Sequence, residues 1–197
     1  HSSRKEAPAL VNVIDSRIFA TTSSPTLAEG LTFQPGVRVE NDCQNCGFTQ
    51  ARINGLDGHY SQVLIDSRPV FSALAGVYGL EQIPSSMIDR VEVVRGGGSA
   101  LFGASAIGGT INIITKEAMS SSAGISHDLT SIGVSGALDN NTSLNASMVT
   151  DDGRGGLFVF GQKRLRDGYD ADGDGFTDIP MINSITVGTR GHLRVNT

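Results

Sequence analysis

Short runs of alternating apolar and polar residues occur along the first 116 residues and predict a small α+β unit. A period of two is the pattern of strands that bury one face. The runs cover residues 10–14, 37–40, 50–54 and 62–66. Residues 25–31 suit a short helix, and residues 79–83 predict a second helical turn that begins before Pro84.

Two strands rich in β-branched residues, 90–95 and 110–115, flank a segment with six glycines. Glycine alone reaches positive φ without steric cost, so this segment is expected to turn tightly and to bring backbone against backbone. Nucleotide and hydrolase motifs do not fit it. Leu101 stands where a dinucleotide fingerprint needs its third glycine, and Ala104 where a phosphate loop needs lysine. Leu101 and Ile107 also replace the closing glycines of nucleophile elbows.

The second half of the chain also alternates, over residues 144–148 and 157–162, and residues 185–187 with 193–195 form a further such segment. Residues 120–124 suit a linker or a strand start. Turns are expected at residues 139–141 and 151–156, followed by a long loop rich in aspartate. Alternating segments of about ten residues are typical of transmembrane β-barrels. On pattern alone, a soluble antiparallel meander fits equally well.

Residues 87–116 closely resemble the signature of the plug domain of TonB-dependent outer-membrane receptors. The positions that match are Arg90, Glu92, Arg95, Gly96, Ser99, Leu101, Gly103, Ala106, Ile107, Gly108, Gly109, Asn112 and Thr115. Phe102 replaces the more usual tyrosine, and Gly97 replaces a frequent proline. Shorter matches (Glu-Ala-Pro, Pro-Gly-Val, Arg-Ile-Asn-Gly, Val-Leu-Ile-Asp) extend the resemblance over residues 5–116, and the Cys-containing segment is similar to a Bacteroidetes-type subgroup.

The resemblance implies an α+β plug domain over residues 1–117, with a mixed four- to five-stranded sheet and two or more short helices. Strands 90–95 and 110–115 should be neighbours in that sheet. Residues 118–197 should form about the first four antiparallel strands of an outer-membrane β-barrel. A barrel of this class has about 22 strands, and open strand edges do not persist in lipid. The chain is therefore expected to be a fragment that also lacks its N-terminal partner-binding segment.

Composition agrees with this interpretation. The 197 residues are 39% hydrophobic, include no tryptophan and carry a formal net charge of −5, which argues against nucleic-acid binding. No apolar stretch approaches the 18 residues of a membrane helix. No signal peptide is visible before the first strand pattern.

The function that the resemblance implies is transport rather than catalysis, and no set of nucleophile, base and acid is legible. Such receptors lie in the bacterial outer membrane, with the plug on the periplasmic side inside the barrel, and take up cobalamin, haem or ferric siderophores. The implied partners are the TonB energy-transducing complex, outer-membrane lipid and a surface lipoprotein. The alternative is a soluble, calcium-stabilised β-rich binding or adhesion module.

Several site residues follow from the same resemblance. Arg52 and Arg95 match positions that pair with barrel glutamates and lock the plug, and those partners are expected beyond Thr197. Residues 65–79 correspond to an outward-facing loop whose Leu-Ala-Gly-Val sequence is similar to that of vitamin B12 receptors and favours cobalamin. For haem, the axial ligands would be His59, Tyr60 or Tyr78. The candidate ligand-contacting residues are His59, Tyr60, Phe71, Ser72 and Tyr78.

The two cysteines, Cys43 and Cys46, are separated by two residues. A redox pair would need a βαβ context, and zinc would need two further ligands, whereas the histidines are scattered. In an exported protein, a disulfide between them is the simpler state.

The loop from Asp170 to Asp178 places aspartates at alternate positions with glycines between them, which suits Ca²⁺. It is not an EF-hand, because Met181 stands where the twelfth-position glutamate is required. The candidate ligands are Asp170, Asp172, Asp174 and Asp178, and a solvated acidic loop is the alternative. Strand parity predicts that this loop and the segment near residue 139 are extracellular and that the turn near residue 153 is periplasmic.

Overall fold

The computed structural model describes residues 10–43, 48–70, 79–96, 106–134 and 136–194. The chain divides into two compact units. The first runs to Thr115, apart from residues 43–47, and the second runs on from Lys116. None of the helices described is long and apolar enough to cross a membrane.

The described residues of the first unit form seven strands and two short α-helices. In chain order they are β1 (Leu10–Asp15), α1 (Ser16–Thr21), α2 (Leu27–Leu31), β2 (Val37–Cys43), β3 (Phe48–Ile53), β4 (Ser61–Ile65), β5 (Arg68–Pro69), β6 (Ile88–Arg95) and β7 (Gly109–Thr115). Single 3₁₀ turns occupy Gly58–Tyr60 and Ser85–Met87.

Five of these strands form one mixed sheet in the order β1-β6-β7-β4-β5, and β2 pairs with β3 in a separate two-stranded sheet. β6 and β7 are antiparallel neighbours, with Val93 opposite Ile111, and β4 runs parallel to β7, with Val63 opposite the same isoleucine. The predicted mixed five-stranded sheet with its two adjacent signature strands is confirmed.

The core of this unit lies around the central strand β7, in which Ile111 and Ile113 are fully buried. β6 contributes Val91 and Val93, which alternate with more exposed residues. β7 is buried on both faces: from 109 to 115 every residue except Ile114 is buried, including the polar Thr110, Asn112 and Thr115.

The helices differ from the sequence prediction. Helix α1 was missed, although Asp15 caps it by accepting a hydrogen bond from the Arg17 N–H at 2.9 Å. Residues 79–83 form turns, so the predicted helical turn there is wrong. Pro84 has no N–H to donate to the Leu80 carbonyl, so a helical turn cannot continue through it. The carbonyls of Leu80 and Ile83 instead accept hydrogen bonds from the first N–H groups of α2.

The second unit is an antiparallel meander of four strands in the order β11-β10-β9-β8. They are β8 (Ser122–Ile132), β9 (Ala137–Val149), β10 (Gly155–Arg166) and β11 (Ile182–Leu193). The antiparallel strands expected after the plug domain are therefore present.

The turn predicted at residues 139–141 is wrong, because these residues lie inside β9, with Asp139 opposite Thr130 and Arg166. The chain reverses earlier, at residues 133–136, where Gly133 and Gly136 adopt positive φ. Asp139 resembles a turn residue in sequence, but inside the sheet its carboxylate accepts hydrogen bonds from Arg164.

Candidate functional site

One face of the four-stranded sheet is apolar and exposed. Side chains directly opposite each other on paired strands share a face, and the register places every large exposed hydrophobic residue of the four strands on this one. These residues are Ile125, Leu129, Leu138, Leu144, Met148, Leu157, Leu165, Ile185, Val187 and Leu193. A soluble sheet presents polar residues on its solvated face, whereas the wall of a membrane barrel presents apolar residues to lipid.

The opposite face, called the polar face below, carries both aspartates of the four strands. Arg164 in β10 is 2% exposed and binds Asp139 of β9 with two hydrogen bonds, Nε to Oδ1 at 3.0 Å and Nη2 to Oδ2 at 2.6 Å. The Asn141 side-chain amide donates to Asp128 at 3.3 Å. Polar residues inward and apolar residues outward are the arrangement of a barrel wall with a polar lumen.

This buried ion pair was not identified from the sequence. The available signal was an arginine and an aspartate within alternating segments, on the face where the neighbouring residues are small and polar. A bidentate arginine–carboxylate pair is geometrically specific, so it fixes the register of β9 against β10.

The aspartate-rich loop brings three of the four predicted calcium ligands together. Oxygens of Asp170, Asp172 and Asp174 lie within 4.8 Å of one another. Asp178 is not part of this group, and its Oδ2 accepts a hydrogen bond from the Ala171 N–H at 2.8 Å. The carboxylates can offer hard oxygen ligands, which Ca²⁺ prefers.

Backbone amides already support the charge on Asp170. The N–H groups of Gly175 and Gly173 donate to its two oxygens at 2.9 and 2.7 Å. These hydrogen bonds, the one from Gly175 first, hold the pKa of the Asp170 carboxyl below its ordinary value.

The loop is tied to the β8–β9 hairpin. The Asp167 N–H donates to the Leu138 carbonyl at 2.9 Å, and the Leu138 N–H donates back to the Asp167 carboxylate at 3.0 Å. Tyr169 packs against Gly133, where a Cβ would overlap the phenol ring. The hairpin turn and the long loop therefore lie at the same end of the sheet.

The two predicted lock arginines have different surroundings in the first unit. Arg52 pairs with Glu40 at 2.5 Å, and Glu40 also binds Arg38 at 2.6 Å. Arg95 is half-buried and packs against Gly36. Its Nε is buried, and no residue in the described ranges accepts a hydrogen bond from it.

Two of the predicted ligand-contacting residues form an exposed aromatic pair. The rings of His59 and Tyr60 are 4.0 Å apart in the 3₁₀ turn that precedes β4. The Tyr60 carbonyl accepts a hydrogen bond from the Gly108 N–H at 2.8 Å, which connects the turn to the glycine-rich segment. Phe71, Ser72 and Tyr78 lie outside the described residues, as do Cys46 and the side chain of Cys43.

A polar network at one end of the central strands was also missed. The Asp66 carboxylate accepts from the Thr115 N–H at 3.0 Å and from its hydroxyl at 2.7 Å. Asn112 accepts from the Ser67 N–H at 2.9 Å and reaches toward Glu92. Asp66 and Asn112 belong to the matched segments, and the network shows what holds the β4–β5 turn against β7.

Comparison with known proteins adds three findings. Residues 3–110 match the family model of the TonB-dependent receptor plug domain. The chain is 34% identical to the vitamin B12 transporter BtuB of Vibrio cholerae over 106 residues, which cover 54% of this chain and 17% of the transporter. It is 29% identical to the ferric enterobactin receptor of Pseudomonas aeruginosa over 127 residues, with coverage of 58% and 17%. The chain thus matches less than a fifth of the length of these relatives.

Solved structures show the same fold. The siderophore receptor PirA of Acinetobacter baumannii aligns with a TM-score of 0.72 at 20% identity, covering 87% of this chain and 26% of the receptor. PirA of Pseudomonas aeruginosa aligns with a TM-score of 0.70 at 19% identity, with coverage of 97% and 33%. The Bacteroidetes-type assignment stays a prediction, since these relatives come from other bacteria.

Proposed function

Because the chain belongs to the family of TonB-dependent receptor plug domains, we propose that it forms the gate and the first wall strands of a receptor for scarce metal complexes. Family membership confirms the predicted outer-membrane location and the prediction that the protein is a receptor rather than an enzyme. In the proposal, the TonB complex supplies the energy that loosens the plug. The apolar face of the second sheet supports this function over a soluble adhesion module, which would expose that face to water.

For the ligand we propose cobalamin first, with haem and ferric siderophores as the competing classes. The relatives are named as a vitamin B12 transporter and a ferric enterobactin receptor. The exposed rings of His59 and Tyr60, tilted by 42° to each other, lie beside the glycine-rich segment, where either ring could stack on a corrin or porphyrin ring.

Calorimetric titration of the full-length receptor with cyanocobalamin, haemin and ferric enterobactin tests this proposal. Tight binding of cyanocobalamin, weakened in His59→Ala and unchanged in the exposed control Arg17→Ala, is the expected result. Tight binding of another of the three would reassign the ligand, and binding of none would contradict uptake of these complexes.

For the plug–barrel lock we propose that Arg95 pairs with a barrel carboxylate. A buried guanidinium nitrogen that lacks an acceptor costs free energy, so an acceptor from outside the first unit is favoured. Arg52 is the second lock residue in this proposal, although Glu40 already neutralises part of its charge. In planar bilayers, Arg95→Met should raise the passive ion leak of the full-length receptor, whereas Arg17→Met should not. Equal leaks for both variants would contradict the lock.

For calcium we propose binding by Asp170, Asp172 and Asp174, with Asp178 as an outer ligand. Three carboxylates within 4.8 Å repel one another unless a cation lies between them. Calorimetry on the full-length receptor should detect Ca²⁺ binding that Asp170→Asn abolishes and Asp151→Asn, in the opposite turn, leaves intact. If the wild-type receptor binds no Ca²⁺, the loop is merely solvated.

The disulfide between Cys43 and Cys46 remains part of the proposal as a stabiliser of the exported protein. Mass spectrometry of the non-reduced receptor after alkylation tests it directly. Two alkylated thiols would refute the bond.

A further inference from the structure

A row of polar side chains interrupts the apolar face of the four-stranded sheet. His127, Thr142 and Lys163 lie side by side on β8, β9 and β10, because Thr142 is the register partner of both other residues. His127 Nδ1 and the Thr142 hydroxyl are 2.9 Å apart, and the Lys163 amine donates to Asn183 Oδ1 at 2.6 Å. The row is therefore a polar strip made of two hydrogen-bonded pairs, His127–Thr142 and Lys163–Asn183, across the four strands.

The charge on this face has one sign. Lys163 and His127 are its only ionisable residues among the described strand positions, while Asp128 and Asp139 are both on the polar face. Arg164 on the polar face has a carboxylate partner. Within the described ranges, the hydrogen-bond partner of the Lys163 amine is the Asn183 amide oxygen, and an amide leaves the ammonium charge uncompensated.

The height of the strip on the wall indicates what lies against it. Lys163 is eight residues along β10 from Gly155. At roughly 3.3 Å per residue and a tilt of about 40°, this places it roughly 20 Å above the lower end of the strand. The apolar band of such a barrel is about 25 Å tall. Lys163 is thus near the margin of the band, at the end that carries the aspartate-rich loop.

We propose that His127 and Lys163 form a binding site for the phosphate groups of an anionic lipid, of the phosphorylated glycolipid class, in the outer leaflet. The two side chains start from strands separated by one intervening strand, about 10 Å apart. That spacing suits a headgroup with separated phosphate and sugar groups better than a single inorganic phosphate. Ile125 and Leu144, in the next row on the same face, would contact the acyl chains.

This inference rests on the membrane location of the wall and not on the identity of the transported ligand. The full-length receptor in neutral detergent micelles is titrated with bisphosphorylated lipid A, and binding is followed by native mass spectrometry. Removing one cationic contact near a membrane surface should weaken binding about fivefold, so this loss is expected for Lys163→Gln and a smaller loss for His127→Gln. Arg154→Gln removes an exposed cation at the opposite strand end and should leave binding unchanged.

The controls separate the explanations. Lipid A without its phosphates should bind equally to the wild type and to Lys163→Gln, because the proposed contact is to phosphate. Millimolar inorganic phosphate should not displace the bisphosphorylated lipid. Unchanged affinity in Lys163→Gln would overturn the proposal, as would displacement by inorganic phosphate. A smaller oligomer in this variant than in the wild type would also overturn it and would indicate a protein interface. Titration of each variant with cyanocobalamin, haemin and ferric enterobactin tests the uptake function independently.

Discussion

Glycine-to-alanine substitutions in the signature segment separate two reasons for the glycines there. Gly109 has φ +147°, and a Cβ on it would overlap the carbonyl oxygen of Val94 on the paired strand β6. Gly96 has φ +96° with open space around it. Gly108 has no positive φ, and its added Cβ would meet Leu56 and Tyr60 at 3.3 Å. An alanine at Gly109 therefore meets both backbone strain and atomic overlap, an alanine at Gly96 meets backbone strain alone, and an alanine at Gly108 meets close contact alone.

The expected losses of stability follow from these surroundings. A non-glycine residue in an unfavourable backbone region costs about 1–3 kcal/mol, and forcing atoms into a packed region costs about 1–3 kcal/mol more. Gly109→Ala suffers both penalties and should lose at least about 2 kcal/mol. Gly96→Ala suffers only the first. Gly108→Ala should be nearly neutral, because alanine also lowers the entropy of the unfolded chain by about 0.4–1 kcal/mol.

Hydrogen exchange of the full-length receptor, followed by mass spectrometry of peptides from β6 and β7, measures this series locally. A loss of about 2 kcal/mol corresponds to roughly thirtyfold faster exchange. Gly109→Ala should show at least this acceleration, and Gly109→Val should disrupt the unit. Wild-type exchange in Gly109→Ala, or a larger effect at Gly108 than at Gly109, would refute the reasoning.

Three further predictions concern the polar contacts. Asp66→Ala should destabilise the first unit by about 1–3 kcal/mol because the hydroxyl and N–H of Thr115 lose their acceptor, and unchanged exchange in β7 would contradict this. Arg164→Met alone should lower the free energy of unfolding by about 3–5 kcal/mol, because it leaves Asp139 buried and unpaired. In urea unfolding of the receptor in vesicles, the double variant with Asp139→Leu should lose less stability than Arg164→Met alone. Additive losses of the two substitutions would exclude coupling between the residues. The pKa of the Asp170 carboxyl is lowered in the folded loop from its ordinary value of 3.8, so the ionised carboxylate stabilises the loop at any pH above 3.8. The loop should lose its order only as the pH falls below 3.8 and through the lower pKa of the folded state. If hydrogen exchange shows the loop loosening already near pH 5, this prediction is contradicted.

The sequence alone specified the central strands of the first unit because burial and local pattern agree there. β7 is buried on nearly every side, so its β-branched run has no competing interpretation. The segment from 79 to 83 shows the limit. Its local pattern suits a helical turn, but the segment forms other turns, whose Leu80 and Ile83 carbonyls accept hydrogen bonds from α2. These contacts arise only in the folded unit.

The acidic residues show the same limit for the site. Alternate aspartates in the loop predicted the cluster of Asp170, Asp172 and Asp174, because hydrogen bonds within the loop hold it together. Asp139 was assigned to a turn because its sequence, Asp-Asn-Asn, is typical of turns. Its partner Arg164 is 25 residues away in the sequence, and a pattern of neighbouring residues cannot indicate a contact over that separation.

The buried pair has a consequence for the whole wall. Side chains alternate with a period of two, so a slip of β10 by one residue would exchange its faces completely. Leu157 and Leu165 would then face the polar side, and Arg164 would face lipid without its partner Asp139. Asp139 lies opposite Arg166 and reaches Arg164 diagonally on the same face, so a one-residue slip would break the pair. The same ion pair that sequence patterns could not reveal therefore maintains the alternation that made the wall recognisable from sequence.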